Sequence, residues 1–459
     1  MISITYPGSA PRGDRRVKKR LSRGRAVRDE MAILVAVVFL VGACGSPVVT
    51  SPPATDSPTA TDSLSPIASA SKAPSPTPTT APPPATPAPS PTPTIRPPSA
   101  TPSPRSTAQA SCAQQVLNRM SMPLRIGQLF SLGLANNRLG AAELSAIRNQ
   151  HVGSVWFTAT TSIGVAGIRA VANAVQAQAT SAATTHVRFF IAANQEGGLI
   201  QALQGSGFST IPSALVQGGR PVGTLTADAK LWGEQLRSAG VNLDFAPVAD
   251  VVPPGTDATN QPIGVLRREY GHDPLTAGSH AAAFIAGMTS AGVATTAKHF
   301  PGLGRVTNNT DFSAGVVDDV TTANDPYLGS FKTAIGAGVP FVMIALATYT
   351  RIDPAHLAAF SSTVIDGLLR GKLGFRGVVV SDSLTATAVS SMSAGQRAID
   401  FLLAGGDLIV ARSATAMVAM VAAVQARAVT YSAFATLVNN AALLVLEAKQ
   451  AAGLLPCSG

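Results

Sequence analysis

The chain has 459 residues, a formal net charge of +10, 46% hydrophobic residues and three cysteines. Nine basic residues (Arg12, Arg15, Arg16, Lys18, Lys19, Arg20, Arg23, Arg25, Arg28) face Asp14, Asp29 and Glu30 before Cys44, so six of the ten net charges lie in that stretch. The remainder of the chain is only mildly basic and has no Lys/Arg stripe interleaved with aromatics, which argues against nucleic acid as a partner.

Residues 1–43 read as an export signal: a basic stretch, then an apolar run of about twelve residues, too short to span a bilayer comfortably. The run ends Val41-Gly42-Ala43-Cys44. Small residues before a Cys resemble the bacterial lipobox, so Cys44 is expected to be lipidated, anchoring an extracytoplasmic protein to the cell membrane. An ordinary signal peptide with an incidental Cys is the alternative. Residues 44–111 are dominated by Pro, Ser, Thr and Ala. Such a segment cannot bury enough apolar surface to offset its conformational entropy, and its proline density favours an extended tether. Residues 112–459 carry the periodic hydrophobic pattern. Cys112 and Cys457 bracket that region, and in an oxidising compartment a pair at the two ends of a domain is expected to bridge. Two free thiols are the alternative.

Within 112–459, apolar runs at 126–135, 152–158, 188–193, 241–246, 293–297, 339–345, 377–381 and 407–411 predict strands. Helical patterns at 162–179, 226–239, 274–291, 326–337, 362–370 and 393–404 separate most of them. Near-continuous apolar strands are those covered on both faces, and eight alternating with helices predict an α/β fold of the (β/α)8 TIM-barrel type. An open doubly wound sheet is the runner-up, but Gly197-Gly198 is not part of a G-x-G-x-x-G turn. Residues 415–455 predict further helix, with a single catalytic domain and a monomer expected.

In a barrel the residues just after each strand face one rim. Here the polar ones are Asn194-Gln195-Glu196, Asp244, Asp250, Lys298-His299, Asp311, Arg351, Asp382 and Arg412. Carboxylates beside Lys and His suit a polyhydroxylated substrate and acid/base work on it. Lys298, ending an apolar strand, is expensive to bury without a partner.

Three segments carry a resemblance: Gly240-Val241-Asn242-Leu243-Asp244-Phe245-Ala246-Pro247-Val248-Ala249-Asp250-Val251, Ala297-Lys298-His299-Phe300-Pro301-Gly302-Leu303-Gly304, and Val380-Ser381-Asp382-Ser383-Leu384. With Asn194-Gln195-Glu196-Gly197-Gly198 and Arg268-Glu269-Tyr270-Gly271 in the same order, they resemble glycoside hydrolase family 3, in its single-domain bacterial β-N-acetylglucosaminidase branch. The resemblance implies a retaining exo-glycosidase on a barrel, without metal or cofactor, acting on terminal β-linked N-acetylglucosamine of cell-wall glycan fragments. A β-glucosidase of the same family and a non-catalytic glycan-binding lipoprotein are the alternatives. It makes Asp382 the nucleophile, rather than a helix cap, and assigns Lys298, His299, Arg268, Asn194 and Asp250 to substrate binding, with Arg267 adjacent to Arg268 in register.

The loop after the fifth strand departs from the family. Where relatives carry Asp-Ser-His, with the Asp-His pair as acid/base, this chain reads Asn309-Thr310-Asp311. Asp311 is expected to take that role, its pKa raised by the nucleophile's charge or by burial; a solvated loop Asp, or a role for Asp318 or Asp319, are the alternatives. Asn194 replaces the family's Asp in D-Q-E-G-G, Ala202 replaces an Arg, and Leu303 stands where a second His is common.

Overall fold

The structure, a computed structural model, describes residues 110–457. The signal, Cys44 and the Pro-rich segment through residue 109 lie outside the described residues. Eight parallel strands form the main sheet: β1 Phe130–Leu134, β2 Ser154–Phe157, β3 Phe190–Ala193, β4 Leu243–Asp244, β5 Ala294–Phe300, β6 Phe341–Ile344, β7 Val378–Ser381 and β8 Ile409–Ala411. Neighbours in sequence pair in space from β1 to β7, and β8 pairs with β1. The last seam, between β7 and β8, is a single bridge between Val380 and Leu408. The sheet is thus a nearly closed barrel, and each predicted apolar run holds or overlaps one strand, with β5 running three residues past the predicted 297.

The crossover helices include Gly164–Gln176, Val222–Ser238, Pro274–Ser290, Leu328–Gly336 and Ala394–Leu403, while Thr363–Lys372 winds as a wider π-helix. The sequence pattern missed Ala141–Asn149, whose apolar face is short: only Glu143, Ala146 and Ile147 are buried. The helix predicted at 415–455 is two, Ala414–Thr430 and Ser432–Ala451, broken at Tyr431 with φ −128° and ψ 107°. The run Val429-Thr430-Tyr431 combines β-branched and aromatic side chains of low helix propensity. Ser432–Ala451 then packs onto the barrel, and its Val445 joins the lumen cluster with Leu454. Cys112, opening the helix Cys112–Arg119, is disulfide-bonded to Cys457, with Cα atoms 6.0 Å apart.

Side chains alternate along a strand, so parity decides what enters the barrel. Trp156, Ala192, Phe341, Met343, Val380 and Val410 belong to the lumen cluster. Two residues beyond the inward positions of four strands come Thr158, Asn194, Asp382 and Arg412. On β5, Lys298 is in register with the inward Met343. All five line one cavity at the C-terminal rim. Apolar residues dominate the barrel interior beside the small buried Ser131, Ser154 and Thr296, and the larger polar side chains on the same parity form the rim.

Candidate active site

Lys298 and His299 are consecutive, yet both line the cavity. The pairing of β5 with β6 explains this: Lys298 is opposite Met343 and Phe300 opposite Ile344, so His299 is an extra residue in a bulge. A bulge re-aims side chains at a strand end. The Lys298–His299 and Phe300–Pro301 peptide bonds are both cis.

The partner Lys298 requires is Glu196, in the short strand Gln195–Gly197 that comes after β3. Lys298 Nζ is 2.7 Å from Glu196 Oε1 and donates at 2.7 Å to Asn194 Oδ1. Arg268 grips the same carboxylate with two bonds of 2.8 Å, from Nε to Oε2 and from Nη2 to Oε1. Burial alone pushes the Glu196 carboxyl up, but the charges and hydrogen bonds of Arg268 and Lys298 outweigh it and hold the group at about 2. The structure also settles the register: Arg268 lines the cavity, whereas Arg267 is exposed with φ 57°.

Asp250 is placed differently from the sequence expectation. It is fully buried and off the cavity, with its Oδ2 2.8 Å from His299 Nδ1 and its carboxylate accepting from the His299 and Leu303 backbone N–H groups. These protein donors occupy both carboxylate oxygens, so in this structure Asp250 orients His299 from behind the cavity wall. His299 Nε2 is left facing Arg268 Nη2 at 3.5 Å. Asp244 has the outward parity: it is wholly buried, accepts from Gln195 N at 3.0 Å, and burial pushes its carboxyl up to about 7. Arg351 is exposed on a separate turn and does not line the cavity.

Asp382 sits just past β7 and lines the cavity. Its Oδ1 accepts from Ser383 N at 2.7 Å, while the 3-10 turn Thr387–Val389 starts from Ala386 and the next α-helix, Ala394–Leu403, is capped by Ser393. Asp382 is therefore not a helix cap. Asp311 lies across the same cavity, on a loop tied to the Asp382 loop by Thr387 N to Asp311 O at 3.2 Å and Ala388 N to Thr310 O at 3.1 Å. Crowding by surrounding protein and the charge of Asp382 raise the Asp311 carboxyl above its ordinary value, against the opposing pull of Arg268, Arg412 and His299. The side chain still reaches solvent, which tempers the crowding and leaves the Asp382 charge as the specific cause. Asp318, the nearest alternative, is buried and spends its carboxylate on Val320 N, Thr321 N and Thr321 Oγ1.

Arg412 and Phe312 are among the lining residues to which the sequence pattern gives no role. Arg412 stacks its guanidinium 5.5 Å above the Trp156 ring, and Phe312 is 79% exposed at the mouth. Glu196 is visible in the sequence as a strand-end carboxylate, and the cost of burying Lys298 alone is the signal that assigns it.

A parallel barrel whose strand ends converge two carboxylates and a cation–carboxylate network on a cavity of about 380 Å3 has the layout of a glycosidase. Residues 121–444 match the Glycosyl hydrolase family 3 N terminal domain, and the chain belongs to that family. It is 34% identical over 266 residues to a Beta-hexosaminidase of Stenotrophomonas maltophilia (strain K279a), covering 55% of this chain and 76% of that protein. The crystal structure of a Beta-N-acetylhexosaminidase from Beutenbergia cavernae DSM 12333 is 47% identical, with a TM-score of 0.71, and covers 72% of this chain and 99% of that one. A glycoside hydrolase family 3 beta-N-acetylglucosaminidase from Paenibacillus sp. str. FPU-7 superposes with a TM-score of 0.65 at 26% identity, covering 74% and 64% of the two chains. The protein is a glycosidase.

Proposed function

We propose that the protein is a retaining exo-acting β-N-acetylhexosaminidase that removes terminal N-acetylglucosamine from cell-wall glycan fragments. In the first step a carboxylate oxygen of Asp382 bonds to the anomeric carbon, the glycosidic C–O bond breaks, and Asp311 transfers its proton to the leaving oxygen. In the second step Asp311, now ionised, takes a proton from water as that water displaces Asp382 and restores both carboxyl groups. Asn194, Lys298, His299 and Arg268 hold the sugar hydroxyls. The observation that carries this reading is the pairing of Asp382 and Asp311 across one cavity on two loops hydrogen-bonded to each other. The hexosamine assignment rests on the names of the relatives.

The reading extends to location. A lipidated Cys44 and the Pro-rich tether would hold the barrel outside the cytoplasmic membrane, within reach of wall fragments.

Trapping with a fluorinated N-acetylglucosaminyl fluoride tests the chemistry. Mass spectrometry is expected to find a glycosyl adduct on the peptide containing Asp382, and none in Asp382→Ala. A chromogenic panel decides the sugar: preference for the β-glucoside moves the assignment to a β-glucosidase. Absence of both adduct and turnover on every β-glycoside leaves a glycan-binding lipoprotein.

A further inference from the structure

The loop between β4 and the helix Pro274–Ser290 holds a second group of ionisable side chains that takes no part in the reaction above. One ligand atom from each of Asp257, Glu269 and His272 lies within 4.8 Å of the other two. Glu269 is fully buried, and among the described residues neither of its carboxylate oxygens has a hydrogen-bond partner. One oxygen of Asp257 is orphaned in the same way. A buried carboxylate without donors is strongly unfavourable unless a cation or a proton replaces the lost water. Neither neighbouring guanidinium donates to it: Arg268 is committed to Glu196 and to the Pro262 carbonyl, and Arg267 acts on Glu269 only through its charge.

The loop is already shaped around the group. Asn260 accepts from Ile263 N and Gly264 N through Oδ1 and donates through Nδ2 to the carbonyls of Leu303 and Val306. A Cβ on Gly264 would lie 2.7 Å from the Asp257 Cα, so only glycine lets the two arms of the loop approach. His272 Nδ1 is 3.7 Å from Asp257 Oδ1 and 3.2 Å from the Val252 carbonyl oxygen. The Asp257 and His272 side chains are 36% and 35% exposed, which gives an ion a way in and room for water ligands.

We propose that Asp257, Glu269 and His272 form a structural site for a divalent transition metal of the zinc type. Two carboxylates with an imidazole match the donor set of such ions, whereas calcium and magnesium favour oxygen alone. None of the three residues lines the catalytic cavity. Their influence on it passes through Glu269, the chain neighbour of Arg268, whose guanidinium clamps Glu196 and reaches His299. The ion would fix the loop that carries Arg268, a positioning role and not a catalytic one.

The test is zinc titration of the chelator-stripped full chain, with Glu269→Gln and His272→Ala alongside, read by calorimetry, metal content and thermal melting. Wild type is expected to bind one more equivalent of zinc than either variant and to gain several degrees in Tm that neither variant gains. Anomalous diffraction at the zinc edge, on wild type alone, is expected to place a peak between the three side chains, which keeps the proposal testable if Glu269→Gln fails to fold. Equal zinc stoichiometry in wild type and His272→Ala, a peak elsewhere, or binding of calcium in preference to zinc would overturn it. In those cases a proton shared by Glu269 and Asp257 accounts for the buried pair.

Discussion

Two lysines are buried in this domain, one at the rim of the barrel and one on the helix Ser432–Ala451 whose residues join the lumen cluster, and they are compensated in opposite ways. Lys298, 2% exposed, meets the carboxylate of Glu196 and the amide oxygen of Asn194. Lys449, fully buried, meets neutral acceptors: Gln128 Oε1 at 2.8 Å and the Gly153 carbonyl at 2.7 Å, with the Phe190 ring 5.7 Å away. Burial pushes the Lys449 ammonium down to about 7. A lysine set against an anion is balanced by a salt bridge at the rim, where it lines the cavity. One given dipoles surrenders its proton near neutrality and serves as packing with a polar tip.

If the rim is where charge serves chemistry, its most consequential loss is Asp382. Asp382→Asn is expected to lower kcat by at least about a thousandfold, as removal of a covalent nucleophile does elsewhere, while thermal melting changes little because the side chain's hydrogen bond to Ser383 N is local. A variant retaining kcat within tenfold would dissolve the distinction between the two ends.

Glu196→Gln attacks the pairing itself. It leaves Lys298 and Arg268 without their shared anion, and breaking a buried pair from one side costs about 3–5 kcal/mol. Urea melts should show the loss, and kcat/KM should fall with it as Lys298 and Arg268 leave their positions. The sign of the pH effect comes from the Glu196 carboxyl, held down at about 2 from an ordinary 4.5. Its contribution is whole above pH 4.5 and is lost as pH falls toward 2. Wild type should therefore lose its advantage over Glu196→Gln only on the acid side.

Asp311→Asn is expected to act on the rim's chemistry alone. General acid catalysis contributes roughly 10²–10⁴-fold, so substrates with poor leaving groups should lose about that much, and activated aryl glycosides far less. Because the acid must be protonated, wild-type turnover of the poor substrates should fall as pH rises through the raised Asp311 pKa. That alkaline limb should vanish in the variant. Equal losses on good and poor leaving groups would transfer the role to another residue.

How much of this is readable from the chain differs between rim and interior. The eight strands are legible because each falls in or overlaps a largely apolar run, and even the two-residue β4 sits within the longer run 241–246. Lys298, His299, Arg268, Asn194 and Asp382 are legible as strand-end or loop residues in a recognised motif. Asp250 is misplaced by the sequence because a motif gives order, not parity: only the fold turns its carboxylate behind His299. The bulge that brings Lys298 and His299 to one cavity has no signature in the pattern, since it depends on the register with β6. Lys449 is invisible for a related reason. In an Ala/Val/Leu-rich helix a lone lysine reads as solvent-facing, and burial of Val445 and Lys449 is decided by where that helix docks.

At Lys449 the expected effect is a slope with pH and not a loss of activity, and its sign is fixed by linkage. The folded-state pKa lies near 7 and the ordinary one at 10.5. Between those values the unfolded chain binds more protons than the native one, so the native state gains stability with rising pH, by at most about 1.4 kcal/mol per pH unit. The gain is complete above pH 10.5 and is lost as pH falls to about 7. Lys449→Met removes the proton linkage while orphaning Gln128 Oε1 and the Gly153 carbonyl, so its offset from wild type at one pH mixes two effects. The slope does not. In denaturant melts from pH 7 to 10, wild type should gain on Lys449→Met, opposite in pH range to its gain on Glu196→Gln. A flat difference would mean that Lys449 holds its charge through an anion or water that its neutral neighbours do not supply.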